Sequence, residues 1–347
     1  MTRKSRPKKD ARLDEVPEAL LSKVRAPVGI LFGSPGEVIN LHEQLEIPDL
    51  LCFQMDLFPA ERLRESFTES VRVVTHPDLW DVDEEFQTLI YLPERKGERE
   101  LKIDVIEQAF HLLKPKGRLI VWSAYPADDF FPPLLKKVFG KASIFPQESG
   151  TVLISQRDKD RSRRRHEMTY QARLGQGESC RFVSRPGIFS YGRFDNGARA
   201  MMEVADIREG DSVLDLGCGC GTNGVFAWQR TGEKGHIAFL DSNVRATALA
   251  EMNAKANGVA NFEVVASAHV DGFSRKKYDV VLSNPPYFAY SAITRLFIER
   301  GLKLLSTGGR FYLVSRQPHE ASAVLLEFVE ECNQIENRGY TIFEVES

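Results

Sequence analysis

The stretch Val213-Leu-Asp-Leu-Gly-Cys-Gly-Cys-Gly221 decides the fold of the second half of the chain. A short apolar strand runs directly into a turn that is dense in glycine, and a helix is predicted to begin near Thr222. Glycines let the backbone turn sharply and approach a ligand closely. The helix start adds free N–H groups and a partial positive charge. The stretch therefore predicts a strand-turn-helix unit that binds a ligand.

Short apolar strands alternate with helical stretches through both halves of the 347-residue chain. The strands are predicted over Val28–Phe32, Leu50–Gln54, Val71–Thr75, Phe86–Leu92, Arg118–Ser123 and Thr151–Ser155, then Ser212–Leu216, Ile237–Asp241, Phe262–Ala266, Tyr278–Ser283 and Gly309–Ser315, with an antiparallel pair near Val329–Ile335 and Tyr340–Val345. The pattern predicts an α/β fold of two tandem Rossmann-like domains. Each would have a seven-stranded, mostly parallel sheet with helices on both faces.

The two halves also align with each other. In sequence, Phe86–Pro93 aligns with Tyr278–Pro285, and Leu112–Arg118 aligns with Leu304–Arg310. Both matches share an offset of 192 residues. A shared offset across two segments predicts a duplicated domain.

The predicted copies differ where a ligand would bind. Leu92 corresponds to Asn284 at this offset. The turn that starts at Asp215 has only Leu31-Phe-Gly-Ser-Pro35 as its counterpart, so Leu31 replaces the acid. Pro35 removes a backbone N–H from the first copy's turn. We therefore predict that the N-terminal copy is degenerate and keeps only the scaffold. The predicted domains are a basic tail at 1–15, the degenerate copy at 16–155, a linker at 156–185 and a catalytic domain at 186–347.

Composition bounds the class of protein. The net charge is −3, but the segments 3–9 and 157–165 are locally basic. They are either solvated tail and linker or contacts to RNA phosphates. The chain has no apolar run long enough to span a membrane, no apolar core of a secretory signal, and neither a disulfide framework nor a metal spacing among its five cysteines. We expect a cytoplasmic, monomeric protein without a metal.

Asp215 is the informative residue of the glycine-rich turn. A carboxylate there suits the ammonium of S-adenosylmethionine. Gly219-Cys-Gly-Thr-Asn-Gly224, however, also matches the dinucleotide fingerprint G-x-G-x-x-G. Asp241, which ends the next strand, could bind the ribose of either cofactor. From these residues alone both cofactors remain open.

The motif Asn284-Pro-Pro-Tyr287 follows the strand Tyr278–Ser283 and should face the same crevice as the glycine-rich turn. The Asn284 side-chain oxygen and the Pro285 carbonyl could accept both hydrogens of an –NH₂ group. Pro286 stiffens the loop, and Tyr287 could stack on a flat base. The motif predicts a site that presents an amine for reaction.

These residues resemble the class I methyltransferase fold, and the Asn-Pro-Pro-Tyr form is similar to that of amino-group methyltransferases. The whole arrangement resembles the tandem-domain bacterial ribosomal RNA guanine-N2 methyltransferases. The resemblance implies S-adenosylmethionine as cofactor, with Asp241 on the ribose and Ser267 and Ala268 beside the adenine. The full set of implied cofactor residues is Phe189, Asp195, Gly197, Asp215, Gly217, Gly219, Asp241, Ser267, Ala268 and Asn284. Asn196 and Ala268 depart from the pattern of that family, and Tyr287 stands where its members often carry Phe.

The sequence thus predicts methyl transfer to the N2 amine of a guanine in ribosomal RNA, catalysed at Asn284, Pro285, Pro286 and Tyr287. Ribosomal RNA or a ribosomal subunit would be the partner. The same residues could instead present an adenine N6 amine or a protein glutamine amide. A nicotinamide-dependent oxidoreductase and a non-catalytic RNA-binding factor are the alternatives from other classes.

Overall fold

A computed structural model describes residues 15–47, 49–67, 71–275, 277–285 and 292–347. The chain divides into two compact units, with the boundary between His166 and Glu167. Across the described ranges, no helix combines the length and the apolar character needed to cross a bilayer.

The first unit is built on one seven-stranded sheet with the order β3-β2-β1-β4-β5-β7-β6. Its strands are β1 (Val28–Phe32), β2 (Leu50–Gln54), β3 (Val71–Thr75), β4 (Phe86–Leu92), β5 (Leu113–Ser123), β6 (Ser143–Gln147) and β7 (Gly150–Gln156). Its helices are α1 (Glu18–Leu21), α2 (Pro35–Leu45), α3 (Leu57–Ser66), α4 (Arg99–Leu112) and α5 (Phe131–Phe139). Strands β1 to β5 run parallel, and β7 pairs antiparallel with both β5 and β6.

The second unit repeats this topology. Its strands are β8 (Met168–Ala172), β9 (Cys180–Ser184), β10 (Ser212–Leu216), β11 (His236–Asp241), β12 (Phe262–Ala266), β13 (Tyr278–Ser283), β14 (Leu305–Ser315), β15 (Asn333–Asn337) and β16 (Tyr340–Glu346). Its helices are α6 (Asn196–Val204), α7 (Thr222–Thr231), α8 (Val244–Ala256), α9 (Ala292–Lys303) and α10 (Pro318–Leu325). The seven-stranded sheet has the order β12-β11-β10-β13-β14-β16-β15, the same as in the first unit. The predicted fold of two tandem Rossmann-like domains is confirmed.

Strand β10 lies at the centre of the second sheet, and all five of its residues are buried. Val213 packs on one face in a core that includes Phe226 of α7. Leu214 packs on the other face in a core that includes Ile298 of α9. A parallel strand covered on both faces is expected to be apolar throughout. Asp215 is therefore a buried titratable side chain in an otherwise apolar strand, which marks the end of β10 as a candidate site.

Strand register corrects one detail of the predicted alignment between the units. Leu31 pairs with Tyr91, and Leu216 pairs with Ser283, which lies 192 residues beyond Tyr91. The counterpart of Asp215 is therefore Ile30, and the prediction of Leu31 was wrong by one residue. The reason is local, because Phe32 adopts the left-handed conformation (φ 63°) that Gly217 adopts in the second unit (φ 76°). Matching glycine to glycine had shifted the alignment.

Two further differences concern exposed segments. Strand β6 was not predicted, because its side chains are exposed or half-buried and it contains Pro146. The segment predicted as a linker, 156–185, contains the end of β7 and the whole of β8 and β9, which pair antiparallel. Phe182 of β9 is fully buried in the core of the second unit. Polar composition concealed a small sheet that packs through a few apolar side chains.

The basic run at 157–165 packs on the first unit. Arg161 bonds to the buried Glu107 at 3.1 Å, and the guanidinium of Arg163 lies 5.1 Å from the centre of the Trp80 ring. Arg157 donates to the carbonyl of Leu113. Much of the charge that could have contacted RNA phosphates is therefore used within the protein. The other basic segment, 3–9, lies outside the described residues.

Arg310 and Arg118 hold equivalent positions in the two sheets, since they pair with Val280 and Thr88 respectively. Arg310 is 4% exposed and lies 2.9 Å from an oxygen of Asp206 and 2.7 Å from one of Asp211. Arg118 is half-buried and donates to the carbonyl of Lys23 at 3.3 Å. The duplication thus provides a matched pair of arginines. Arg310 is buried and bonds to two carboxylates, whereas Arg118 has no ion pair with any residue that the structure describes.

We expect Arg310→Ala to destabilise the second unit by about 2 kcal/mol, because it removes the charge-assisted hydrogen bonds that a buried guanidinium makes with Asp206 and Asp211. Arg118→Ala, the matched control, should cost less than about 1 kcal/mol in the first unit. Hydrogen exchange measured by mass spectrometry on the full chain reads the two units separately. Equal losses of protection in both variants would contradict the assigned role of the network.

Candidate active site

The residues that the sequence singled out converge on one edge of the second sheet. Strands β12, β11, β10 and β13 are neighbours and run parallel, so their carboxyl ends meet at this edge. Asp215 and the glycine-rich turn are at the end of β10, Asp241 at that of β11, Ser267 and Ala268 after β12, and Asn284 and Pro285 after β13. Such an edge is where open α/β sheets bind ligands. Pro286 and Tyr287 lie outside the described residues.

The glycine-rich turn depends on glycine for its shape. Gly217, Gly219 and Gly221 have φ values of 76°, 53° and 81°. A Cβ on Gly221 would lie 3.0 Å from the Cα of Ala250 in α8. The turn is fixed to the next strand, because the N–H of Gly217 donates to the carbonyl of Leu240 at 2.9 Å. The result is a tight, preformed loop ahead of α7.

Asp215 is 1% exposed and lies beneath this loop. Its carboxylate accepts hydrogen bonds from the N–H of Gly224 at 3.0 Å and from the side-chain amide of Asn223 at 3.3 Å. Burial raises its pKa to about 7, with a smaller contribution from the charge of Asp241. Both of these donors are neutral, so a ligand cation would stabilise the ionised form strongly.

Asp241 holds the loop from the neighbouring strand. Its carboxylate accepts from the N–H of Gly219 at 3.0 Å and from the N–H of Asn243 at 2.9 Å. A carboxylate carries about four acceptor positions over its two oxygens. Asp241 therefore supports the turn and can also accept from a ligand hydroxyl.

The segment 187–197 lies against the turn. Asn243, at the start of α8, donates to the carbonyl of Gly187 at 3.0 Å, and the fully buried Arg245 donates to the carbonyl of Pro186. A Cβ on Gly219 would lie 4.0 Å from the carbonyl oxygen of Phe189, a residue that is 41% exposed. The anchors Asn243 and Arg245 were missed in the sequence, because their role depends on contacts with residues nearly sixty positions earlier.

Asp195 and Asn284 meet across the site. Asp195 caps α6, where its Oδ1 accepts from the N–H of Ala198 at 2.9 Å, and Gly197 is buried in the first helical turn. The same Oδ1 accepts from Nδ2 of Asn284 at 3.1 Å. A carboxylate only accepts, so this contact fixes which end of the Asn284 amide is the NH₂ group. The opposite atom, Oδ1 of Asn284, is buried and has no hydrogen-bond partner among the described residues.

An unpartnered buried carbonyl oxygen is costly unless something fills the position. Pro285, which follows Asn284, is also buried, and a proline contributes a carbonyl acceptor without an N–H. The end of β13 therefore offers one buried acceptor, Oδ1 of Asn284, to a ligand that donates a hydrogen, and the Pro285 carbonyl is the next acceptor along the chain.

Ser267 and Ala268 complete the edge next to Asp241. The N–H of Ser267 donates to the Asp241 carbonyl at 3.1 Å, and its hydroxyl bonds to a carboxylate oxygen of Asp271 at 2.5 Å. Ala268 is buried. Asp271 was not among the predicted residues, and its carboxylate supplies a polar acceptor that the Ala268 side chain lacks. The described residues contain no group of three or more His, Cys, Asp or Glu side chains that could hold a metal ion.

Comparison with known proteins finds a family model that matches the second unit. The model of the family described as "Methyltransferase small domain" matches residues 179–344. "Ribosomal RNA small subunit methyltransferase C" of Pseudomonas paraeruginosa is 34% identical over 151 residues, which are 42% of this chain and 44% of that protein. The protein of the same description from Pseudomonas aeruginosa (strain LESB58) is 31% identical over 180 residues, 50% of this chain and 53% of that protein. The alignments thus span about half the length of these curated relatives.

A solved structure shares the fold of nearly the whole chain. It is described as "T. Thermophilus 16S rRNA N2 G1207 methyltransferase (RsmC) in complex with AdoMet and Guanosine". The TM-score is 0.78 with 17% identity, and the match covers 94% of this chain and 91% of that one. The likeness supports the tandem architecture.

The raised pKa of Asp215 has a consequence for stability. A carboxyl group that titrates near pH 7 when folded and near 3.8 when unfolded binds more protons in the folded state between these values. Its contribution to stability is therefore present at low pH and is lost as the pH rises through about 7. We expect the free energy of unfolding of Asp215→Asn to rise relative to that of the wild type by at least about 1 kcal/mol between about pH 4 and about pH 8. Urea unfolding across this range measures it, and parallel pH profiles for the two proteins would contradict the assignment.

Proposed function

We propose that this chain, whose residues 179–344 belong to the methyltransferase small domain family, transfers a methyl group from S-adenosylmethionine to the N2 amine of a guanine in ribosomal RNA. Its C-terminal unit would carry the active site. The choice of ribosomal RNA is supported by the descriptions of the relatives and of the solved structure. The choice of an amine is supported by the geometry of Asn284.

The described residues fit S-adenosylmethionine. Asp215 offers a buried carboxylate to the ammonium of the methionine part, and Asp241 offers acceptors to the ribose hydroxyls. Ser267, Ala268 and Asp271 would lie beside the adenine, and the segment from Phe189 through Asp195 to Gly197 would close over the cofactor. The family match favours this cofactor over the nicotinamide dinucleotide that the fingerprint at 219–224 also allowed. When bound, the cofactor supplies an electrophilic methyl group on a sulfonium.

A single observation carries the assignment of an amine substrate, namely the orientation of the Asn284 amide. Asp195 occupies its NH₂ end at 3.1 Å and leaves Oδ1 buried and without a described partner. A substrate hydroxyl or thiol would donate one hydrogen. A substrate –NH₂ group donates two, one to Asn284 Oδ1 and one to the Pro285 carbonyl.

These two acceptors would also activate the amine. The lone pair of a guanine amine is delocalised into the ring, which makes the nitrogen a poor nucleophile. Hydrogen bonds to both N–H groups favour the pyramidal form in which the lone pair is exposed, and they strengthen as positive charge develops on nitrogen. Tyr287 is predicted to stack on the base and to hold the nitrogen in line with the methyl carbon. The proton can leave after transfer. An unpaired or flipped base would reach the site most easily.

Adenine N6 and a glutamine amide would also bring two amine hydrogens to the same acceptors. The relatives' descriptions favour RNA over protein, and the solved structure's description favours guanine over adenine. The identity of the methylated nucleoside separates these cases directly.

We expect Asn284→Ala to lower kcat by at least about 100-fold, because one acceptor for the developing charge is lost. The dissociation constant for S-adenosylmethionine should stay within about threefold, since the Asp215 and Asp241 contacts remain. Tritium transfer to ribosomal RNA and calorimetry measure the two quantities. Asn333→Ala on the exposed strand β15 is the matched control and should leave both unchanged. Turnover by Asn284→Ala at the wild-type rate would remove the proposed role.

A further inference from the structure

A cleft of about 340 Å³ lies in the first unit, at the carboxyl ends of β4 and β5. Pro93, the first of its lining residues after β4, is the counterpart of Pro285 at the offset of 192 residues. Its volume is within the range of small-molecule sites, and its place is the one where parallel α/β sheets bind ligands. The degenerate copy therefore has a cleft where the second unit has its proposed mouth.

Two arginine–aromatic pairs form walls of the cleft. The guanidinium of Arg95 lies 5.2 Å from the centre of the Tyr125 ring, and that of Arg99 lies 4.7 Å from the centre of the Phe130 ring. The Tyr125 hydroxyl also donates to the Arg95 carbonyl at 2.8 Å, which ties the loop after β4 to the loop after β5. A planar guanidinium that covers a ring on one side can offer its other face to a flat ligand.

The acidic residues of the cleft point to the class of ligand. Asp128 is engaged with the fold, because it accepts from the N–H groups of Phe130 at 2.9 Å and Phe131 at 2.8 Å. Glu94 and Asp129 also line the cleft and offset its cations, Arg95, Arg99 and Lys102. A cleft with balanced charge and flat arginine faces suits a nucleobase better than a phosphate cluster.

We propose that this cleft binds an unpaired base of the RNA substrate, which stacks on the guanidinium groups of Arg95 and Arg99. The choice of RNA as the ligand rests on the proposed function. The degenerate copy would thereby have exchanged the cofactor site for a second contact with RNA, on the scaffold that the second unit uses for the reacting base.

The full chain and a fluorescein-labelled single-stranded RNA of mixed sequence provide the test, with fluorescence anisotropy as the readout. Arg95→Ala combined with Arg99→Ala should weaken binding about tenfold, the typical effect of losing a stacking contact. Arg95→Lys combined with Arg99→Lys keeps the charge and loses the flat faces, so it should weaken binding to a similar extent. Arg62→Ala is the matched control, since Arg62 covers the ring of Phe58 on α3, away from the cleft. It should bind within twofold of the wild type.

Photo-crosslinking locates the contact independently. RNA that contains 5-iodouridine should cross-link to Tyr125 or Phe130, as mapped by mass spectrometry of the peptides. The proposal is overturned if the double alanine variant binds within twofold of the wild type, if the lysine variant binds normally, or if no cross-link falls within 93–131.

The outcomes separate this proposal from the proposed function. Cross-links at Tyr125 without any methyl transfer would support RNA binding in the cleft and contradict the proposed activity. Methylation of ribosomal RNA by the full chain, together with normal RNA binding by both double variants, would support the proposed activity and contradict RNA binding in the cleft.

Discussion

The hydrogen bond between Asp195 and Asn284 is the interaction on which the account of this protein depends. It joins a helix cap to a strand end that lies 89 residues later, and it determines which atom of the Asn284 amide is available to a ligand. The carboxylate of Asp195 can only accept, so the amide oxygen is left as the acceptor that we assign to the substrate amine. The glycine-rich turn, Asp215 and Asp241 put the proposed cofactor site at the same edge of the sheet. Asn243 and Arg245 hold the segment that carries Asp195. The candidate site is thus held together by polar contacts between distant parts of the second unit.

The duplicated first unit shows what the fold does without these contacts. It has the same strand order, but Ile30 stands in place of Asp215 and Leu92 in place of Asn284. By strand register, Gln54 holds the position in the first unit that Asp241 holds in the second. The Gln54 side chain supports the turn of the first unit by donating to the carbonyl of Gly33 at 3.1 Å. An amide can replace a carboxylate as a support for the loop, but it brings no charge. The first unit therefore keeps the scaffold and lacks the charged and amide groups that the proposed chemistry needs.

Much of the fold could be predicted from the sequence, because central parallel strands are buried on both faces and read as short apolar runs. Strand β10 is such a case. The exposed edge strand β6 lacks this signal, and β8 and β9 lie in a polar segment. The glycine-rich turn and the Asn284 motif marked the candidate site, since both follow buried strands. The contact of Asn284 with Asp195 could not be predicted, because no local pattern connects residues so far apart. The choice of Leu31 over Ile30 failed for a related reason, since Phe32 adopts a conformation usually reserved for glycine.

We have proposed that Asn284 and Pro285 present the amine of a guanine. The most direct test of this proposal is nucleoside analysis by liquid chromatography and mass spectrometry after ribosomal RNA is incubated with the full chain and S-adenosylmethionine. RNA from cells that lack this protein should be used, so that the target position is unmethylated. N2-methylguanosine should appear as the new nucleoside. The appearance of N6-methyladenosine, or of a methylated hydroxyl, would contradict it.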